Sequence, residues 1–107
     1  MSFLTAVPQP IADAATNLAD IGSTISQANT AASAATTGVV PAGADEVSQA
    51  IATLFAGHGQ AYQSLSSQAA LFHDQFVRLL SSGAASYAGA EAANTVPLQA
   101  MSVVPPA

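Results

Sequence analysis

The sequence predicts an all-α fold, an antiparallel two-helix hairpin, on three observations. The prolines stand at Pro8, Pro10, Pro41, Pro97, Pro105 and Pro106, which leaves two long proline-free stretches, 11–40 and 42–96. A proline inside a helix removes a hydrogen bond and clashes with the preceding turn, so these stretches are where helices can run. Both are rich in Ala, the strongest helix former. In both, apolar residues recur at alternating steps of three and four, the period of a helix that buries one face.

Composition narrows what such a chain can do. At 107 residues it is one domain at most, and 50% of it is hydrophobic. Much of that share is Ala, and aromatics are only 6%, so any core is thin for the length. The net charge is −5, with Arg78 the single basic side chain. That excludes neutralising a nucleic-acid backbone and excludes a polybasic hold on anionic lipid. Without Cys there is neither a disulfide nor a thiolate metal site. The N-terminus, from Met1 to Pro8, carries no positive side chain and no apolar run of secretory type, so export by an ordinary cleaved signal peptide is not expected. Nor does any window approach the roughly 20 consecutive apolar residues of a membrane span.

The elements follow in order. Residues 1–10 are an apolar lead-in ending at Pro8-Gln9-Pro10, where the second proline suits a first helical turn. A helix is expected over 11–37, its apolar seam formed by Ile11, Ala14, Leu18, Ile21, Ile25, Ala28 and Ala32. Asp13, Asp20 and Gln27, with Thr16, Ser23 and Thr30 beside them, form its wet face. The turn is expected over 38–44, where Gly38, Pro41 and Gly43 break the pattern. Asp45 and Glu46 open a second helix, with Asp45 able to cap it and both charges favoured by the N-terminal dipole.

This second helix is expected over 45–82. Its seam is heavier: Ile51, Phe55, His58, Tyr62, Leu65, Ala69, Phe72, Phe76 and Leu79, with Leu54 and Leu80 alongside. Gly57 and Gly59 fall inside it, each costing about 1 kcal/mol relative to Ala, which suggests a bend or a close helix approach. After Gly83 the pattern weakens, and 92–107 reads as a flexible tail.

Two faces so unequal imply another chain. A hairpin buries only the strip where its helices touch, and the aromatic side of the second helix is wider than the first can cover. An uncovered apolar surface of that kind marks an interface. Two further helices, making a four-helix bundle with a helical partner, would cover it. The expected interface residues are Ile11, Leu18, Ile21, Ile25, Leu54, Phe55, Tyr62, Leu65, Phe72, Phe76 and Leu79. Self-association of two hairpins is the plainer version and a distinct helical partner the sharper one.

Parts for catalysis are lacking. His58 and His73 are 15 residues apart, too far along a helix to share a metal unaided. His58 lies on the apolar seam and is expected to pack there, whereas His73 is expected to be a solvated neighbour of Asp74. No serine sits in a nucleophile elbow, and Gly57-His58-Gly59 lacks the strand and spacing of a phosphate loop. Asp13, Asp20, Asp45, Glu46, Asp74 and Glu91 are spread over polar faces and the helix start. No catalytic residue, cofactor or metal ligand is expected. One short motif stands apart: Tyr87-Ala88-Gly89-Ala90-Glu91 puts an aromatic and a carboxylate on one helical face. Either a receptor reads the two together, or Tyr87 folds back on the end of the hairpin.

At this point the residues resemble those of the PE proteins of mycobacteria, over about residues 1–98. The matching stretches are Met1-Ser2-Phe3 with Pro8; Ile21-Gly22-Ser23-Thr24-Ile25 and Asn29; Thr36-Thr37 through Pro41-Ala42; Ala44-Asp45-Glu46-Val47-Ser48; Leu54-Phe55 with His58 and Tyr62; Phe72-His73 with Phe76-Val77; and Tyr87 through Asn94. One departure is visible: the Pro-Glu pair that names the family is Pro8-Gln9 here. The resemblance implies a hairpin, spanning 11–91, that pairs with a PPE protein in an elongated four-helix interface. It implies export of the pair by a type VII (ESX) system, with a chaperone acting through the PPE partner. The family's export motif, Y-x-x-x-[DE], maps onto Tyr87 and Glu91, residues 87–91. The expected location is therefore secreted or cell-surface. The expected form is short, lacking a glycine-rich or enzymatic extension. A second role that the resemblance allows is a cell-envelope component that, with its PPE partner, aids solute passage or host interaction.

Overall fold

The computed structural model describes the backbone of residues 4–102 and the side chains of 4–95. Two helices account for nearly all of it, α1 (Gln9–Thr37) and α2 (Glu46–Ser102), paired antiparallel as an all-α hairpin. Helix α1 starts where Pro8 offers its carbonyl to the amides of Ile11 and Ala12, both at 3.1 Å. Pro10 falls in that first turn, where a missing N–H is harmless. At the other end the hydroxyls of Thr36 and Thr37 donate to the carbonyls of Ala32 and Ser33, at 2.9 and 2.7 Å.

Asp45 caps α2. Its carboxylate accepts the Ser48 amide at 3.0 Å and the Ser48 hydroxyl at 2.7 Å. The hydrogen bond from the Ser48 amide, followed by that from its hydroxyl, holds the Asp45 pKa below its ordinary value of 3.8.

Helix α2 runs well past residue 82, through Gly83 and Gly89 to Ser102. Gly83 is followed by Ala84-Ala85 and Gly89 lies between Ala88 and Ala90, and the propensity of Ala keeps the helix going. Residues 92–102, expected to be a flexible tail, are therefore helical, and the motif 87–91 lies within a helix rather than beyond one. Positions 1–3 and 103–107 of the expected lead-in and tail lie outside the described residues.

The chain divides into two compact units, one of residues 19–75 and one joining the chain up to Leu18 with that from Phe76. In the first unit the helices meet across small and polar residues. Ala52 is 6% exposed and Gly59 is buried, with Ala56, Gln63, Ser66, Ala70 and His73 half-buried along the same line. Opposite them on α1 are Gly22, Asn29, Ser33 and Thr37. In the second unit the buried apolar residues are Ala15, 2% exposed, and Ala84, 5% exposed.

Two glycines permit the close approach in the first unit. A methyl group at Gly59 would stand 2.8 Å from the carbonyl carbon of Thr36 and nearer still to its oxygen. At Gly22 it would stand 2.7 Å from Cδ2 of His73. Asn29 then fixes the register. Its side-chain amide donates to Ser66 Oγ at 2.5 Å, and its Oδ1 accepts from the Tyr62 hydroxyl at 2.8 Å. Its backbone carbonyl accepts from Gln63 Nε2 at 3.0 Å.

Candidate partner-binding face

Helix α2 carries two parallel stripes offset by one residue. The inner stripe, from Ala52 through Gly59 and Ser66 to His73, faces α1. The outer stripe is Ile51, Phe55, His58, Tyr62, Leu65, Ala69 and Phe72, and every member is exposed. Phe55, Tyr62, Leu65 and Phe72, expected at a partner interface, lie on this outer stripe, and the hairpin closes along its neighbour. The reason is steric: helices held together at Gly59 and Gly22 lie too close for Phe or Leu between them.

The same offset holds on α1. Ile21 and Ala28 precede the inward-facing Gly22 and Asn29 by one residue, and Ile21 and Ile25 are both exposed. Successive residues turn by about 100° around a helix. In an antiparallel pair, stepping back one residue on each helix rotates both stripes toward the same side. One composite apolar face results, formed in the first unit by Ile21, Ile25, Phe55, Tyr62, Leu65 and Phe72. A groove of about 550 Å³ on it is bordered by Ile25 from α1 and by Tyr62 and Leu65 from α2, with the small Gly22, Ser66 and Ala70 along its floor.

Exposure on this face is large. Phe72 is 73% exposed, Leu54 71% and Leu65 65%, each on a helix whose other side is paired. In the second unit Phe76 and Leu79 are likewise exposed, while Ile11 and Leu18 are half-buried and so contribute partly to the hairpin's own seam.

The two histidines exchange their expected places. His58, on the outer stripe, is exposed; His73, on the inner one, is half-buried against Gly22. Among the described residues no group of three His, Cys, Asp or Glu could hold a metal ion, and no helix is long and apolar enough to cross a membrane.

The motif near the end of α2 is built differently. Tyr87 is 53% exposed, one helical turn before Glu91. Glu91 is half-buried, and its Oε1 accepts the backbone amide of Ala6 at 2.6 Å. That contact, which no spacing in the sequence signals, ties the lead-in to α2. Gln9 donates from Nε2 to Asp13 Oδ1 at 2.8 Å. A carboxylate at position 9 would instead face a like charge four residues on, which is unfavourable on a helix.

The geometry therefore defines a helical hairpin with an exposed apolar face. The chain belongs to the PE family, whose family model matches residues 4–94. It is 62% identical over 99 residues to the PE-PGRS family protein PE_PGRS33 of Mycobacterium tuberculosis (strain CDC 1551 / Oshkosh), covering 92% of this chain and 21% of that protein. It is 65% identical over 94 residues to PE_PGRS8 of M. tuberculosis (strain ATCC 25618 / H37Rv), covering 88% of this chain and 54% of that protein. The chain thus spans about a fifth to about half the length of these relatives.

Proposed function

We propose that this is a non-enzymatic partner and secretion module: a PE hairpin that heterodimerises with a PPE protein and carries the type VII export signal at Tyr87 and Glu91. The composite apolar face carries the reading. Side chains such as Phe72 and Leu65 stand in water while the hairpin's own contact in that unit is made across small and polar residues. Burying a Leu or Phe side chain gains roughly 1.5–3 kcal/mol, so covering several at once is a strong drive to associate. The stripe has the alternating three-and-four spacing that packs against further helices in a bundle. A chaperone acts through the PPE subunit, and the pair reaches the cell surface or medium through the type VII system.

The test is coexpression with candidate PPE proteins. A 1:1 helical complex is expected, lost when Leu65 or Phe72 becomes Asp. Candidates that never copurify would refute the pairing.

A further inference from the structure

We propose that Glu91 is the clasp of an N-terminal strap, so that its Oε1 is fully open to an outside reader only after residues 4–8 let go. The proposal rests on the export reading of Tyr87 and Glu91. Its observations lie in one compact unit. The Ala6 amide donates to Glu91 Oε1 at 2.6 Å, a short bond of the charge-assisted kind, between residues 85 apart in sequence. Ala6 and Pro8 are half-buried while Leu4, Thr5 and Val7 are exposed, as expected of an extended segment lying on a surface.

Pro8 borders the same small groove as Ala84, Ala85 and Ala88 of α2, so the lead-in runs back along the helix that carries the motif. The strap thereby separates the two members of the motif. Tyr87 presents its ring to solvent, whereas Glu91 is already engaged by the chain's own backbone. A receptor that takes Oε1 in that direction must replace the Ala6 N–H with a donor of its own. Because the donor is a backbone amide, only a residue lacking N–H at position 6 removes it while leaving Glu91 intact.

The experiment compares the full chain with its coexpressed partner as wild type, Glu91→Ala, Glu91→Gln and Ala6→Pro. Position 6 lies outside both helices, and circular dichroism verifies that helicity is kept. Exchange of the Ala6 amide should quicken in Glu91→Ala on the order of tenfold to a hundredfold, the factor that a hydrogen bond to a charged group sustains. Glu91→Gln, which keeps an acceptor oxygen, should fall between. Export of Ala6→Pro from a mycobacterial host should match or exceed wild type, because its Glu91 is unclasped. Unchanged exchange in Glu91→Ala overturns the clasp. Loss of export in a folded Ala6→Pro overturns the gating, since the clasped form would then be what is read. Faster exchange with undiminished export in Glu91→Ala upholds the clasp and sinks the export reading of Glu91 instead.

Discussion

Gly57 and Gly59 are two residues apart on one helix, and replacing each by Ala should move stability in opposite directions. Helix propensity alone favours both substitutions by about 1 kcal/mol. At Gly57 nothing lies within 4 Å of the added methyl, so that gain is kept. At Gly59 the methyl meets the backbone of Thr36, with the carbonyl carbon at 2.8 Å, and backbone has no rotamer with which to yield. Overpacking costs typically 1–3 kcal/mol and belongs at the upper end here, so Gly59→Ala should lose about 2 kcal/mol net. For a chain of this size each kcal/mol moves Tm by roughly 4–8 °C. Thermal melts followed by far-UV circular dichroism, on whichever soluble form is purified, should show Gly57→Ala melting higher than wild type and Gly59→Ala roughly 8–16 °C lower. A Gly59→Ala protein as stable as Gly57→Ala would refute the close helix approach, and with it the reason the large side chains face outward.

Asn29→Ala removes the bonds to Ser66 and from Tyr62 and leaves Ser66 half-buried without that partner, which should cost about 1–3 kcal/mol by urea denaturation. Adding Ser66→Ala should cost less than the sum of the single changes. Asp45 should make the hairpin acid-sensitive in a defined direction. Its folded pKa lies below the usual 3.8, so its contribution is complete above that value and is lost as pH falls through the folded one. Asp45→Asn, which caps but does not titrate, should therefore lose less stability on acidification below about pH 4 than wild type does, and identical acid profiles would refute the cap's charge. Tyr87→Ala should leave helicity and the complex intact but stop export; normal secretion of that variant would remove the motif's role.

Much of the fold is legible from proline placement and helical period, because both act locally. The turn follows from Gly38, Pro41 and Gly43, and the start of α2 from Asp45. The face a helix turns inward is less legible. Hydropathy singles out Phe55, Leu65 and Phe72, yet the residues that touch α1 are their smaller neighbours Ala56, Ser66 and His73. A two-helix contact is limited by backbone distance, which rewards small side chains and leaves large ones for a wider interface. The interchange of His58 and His73 is the same one-residue offset. The end of α2 is obscured because Gly83 and Gly89 look like stops in isolation, while the surrounding Ala residues outweigh them. The Ala6–Glu91 bond is invisible for another reason, since one partner is a backbone amide and any residue but Pro supplies it.

The central claim is that the stripe running through Phe55, Tyr62, Leu65 and Phe72 is covered by another protein's helices. Light scattering coupled to size-exclusion chromatography, on the chain coexpressed with a candidate PPE protein, tests it most directly. A 1:1 complex is expected, abolished by Leu65→Asp with Phe72→Ser and untouched by Ser67→Ala on the exposed polar side. A stable, monodisperse 10.5 kDa monomer that ignores the PPE protein would contradict it.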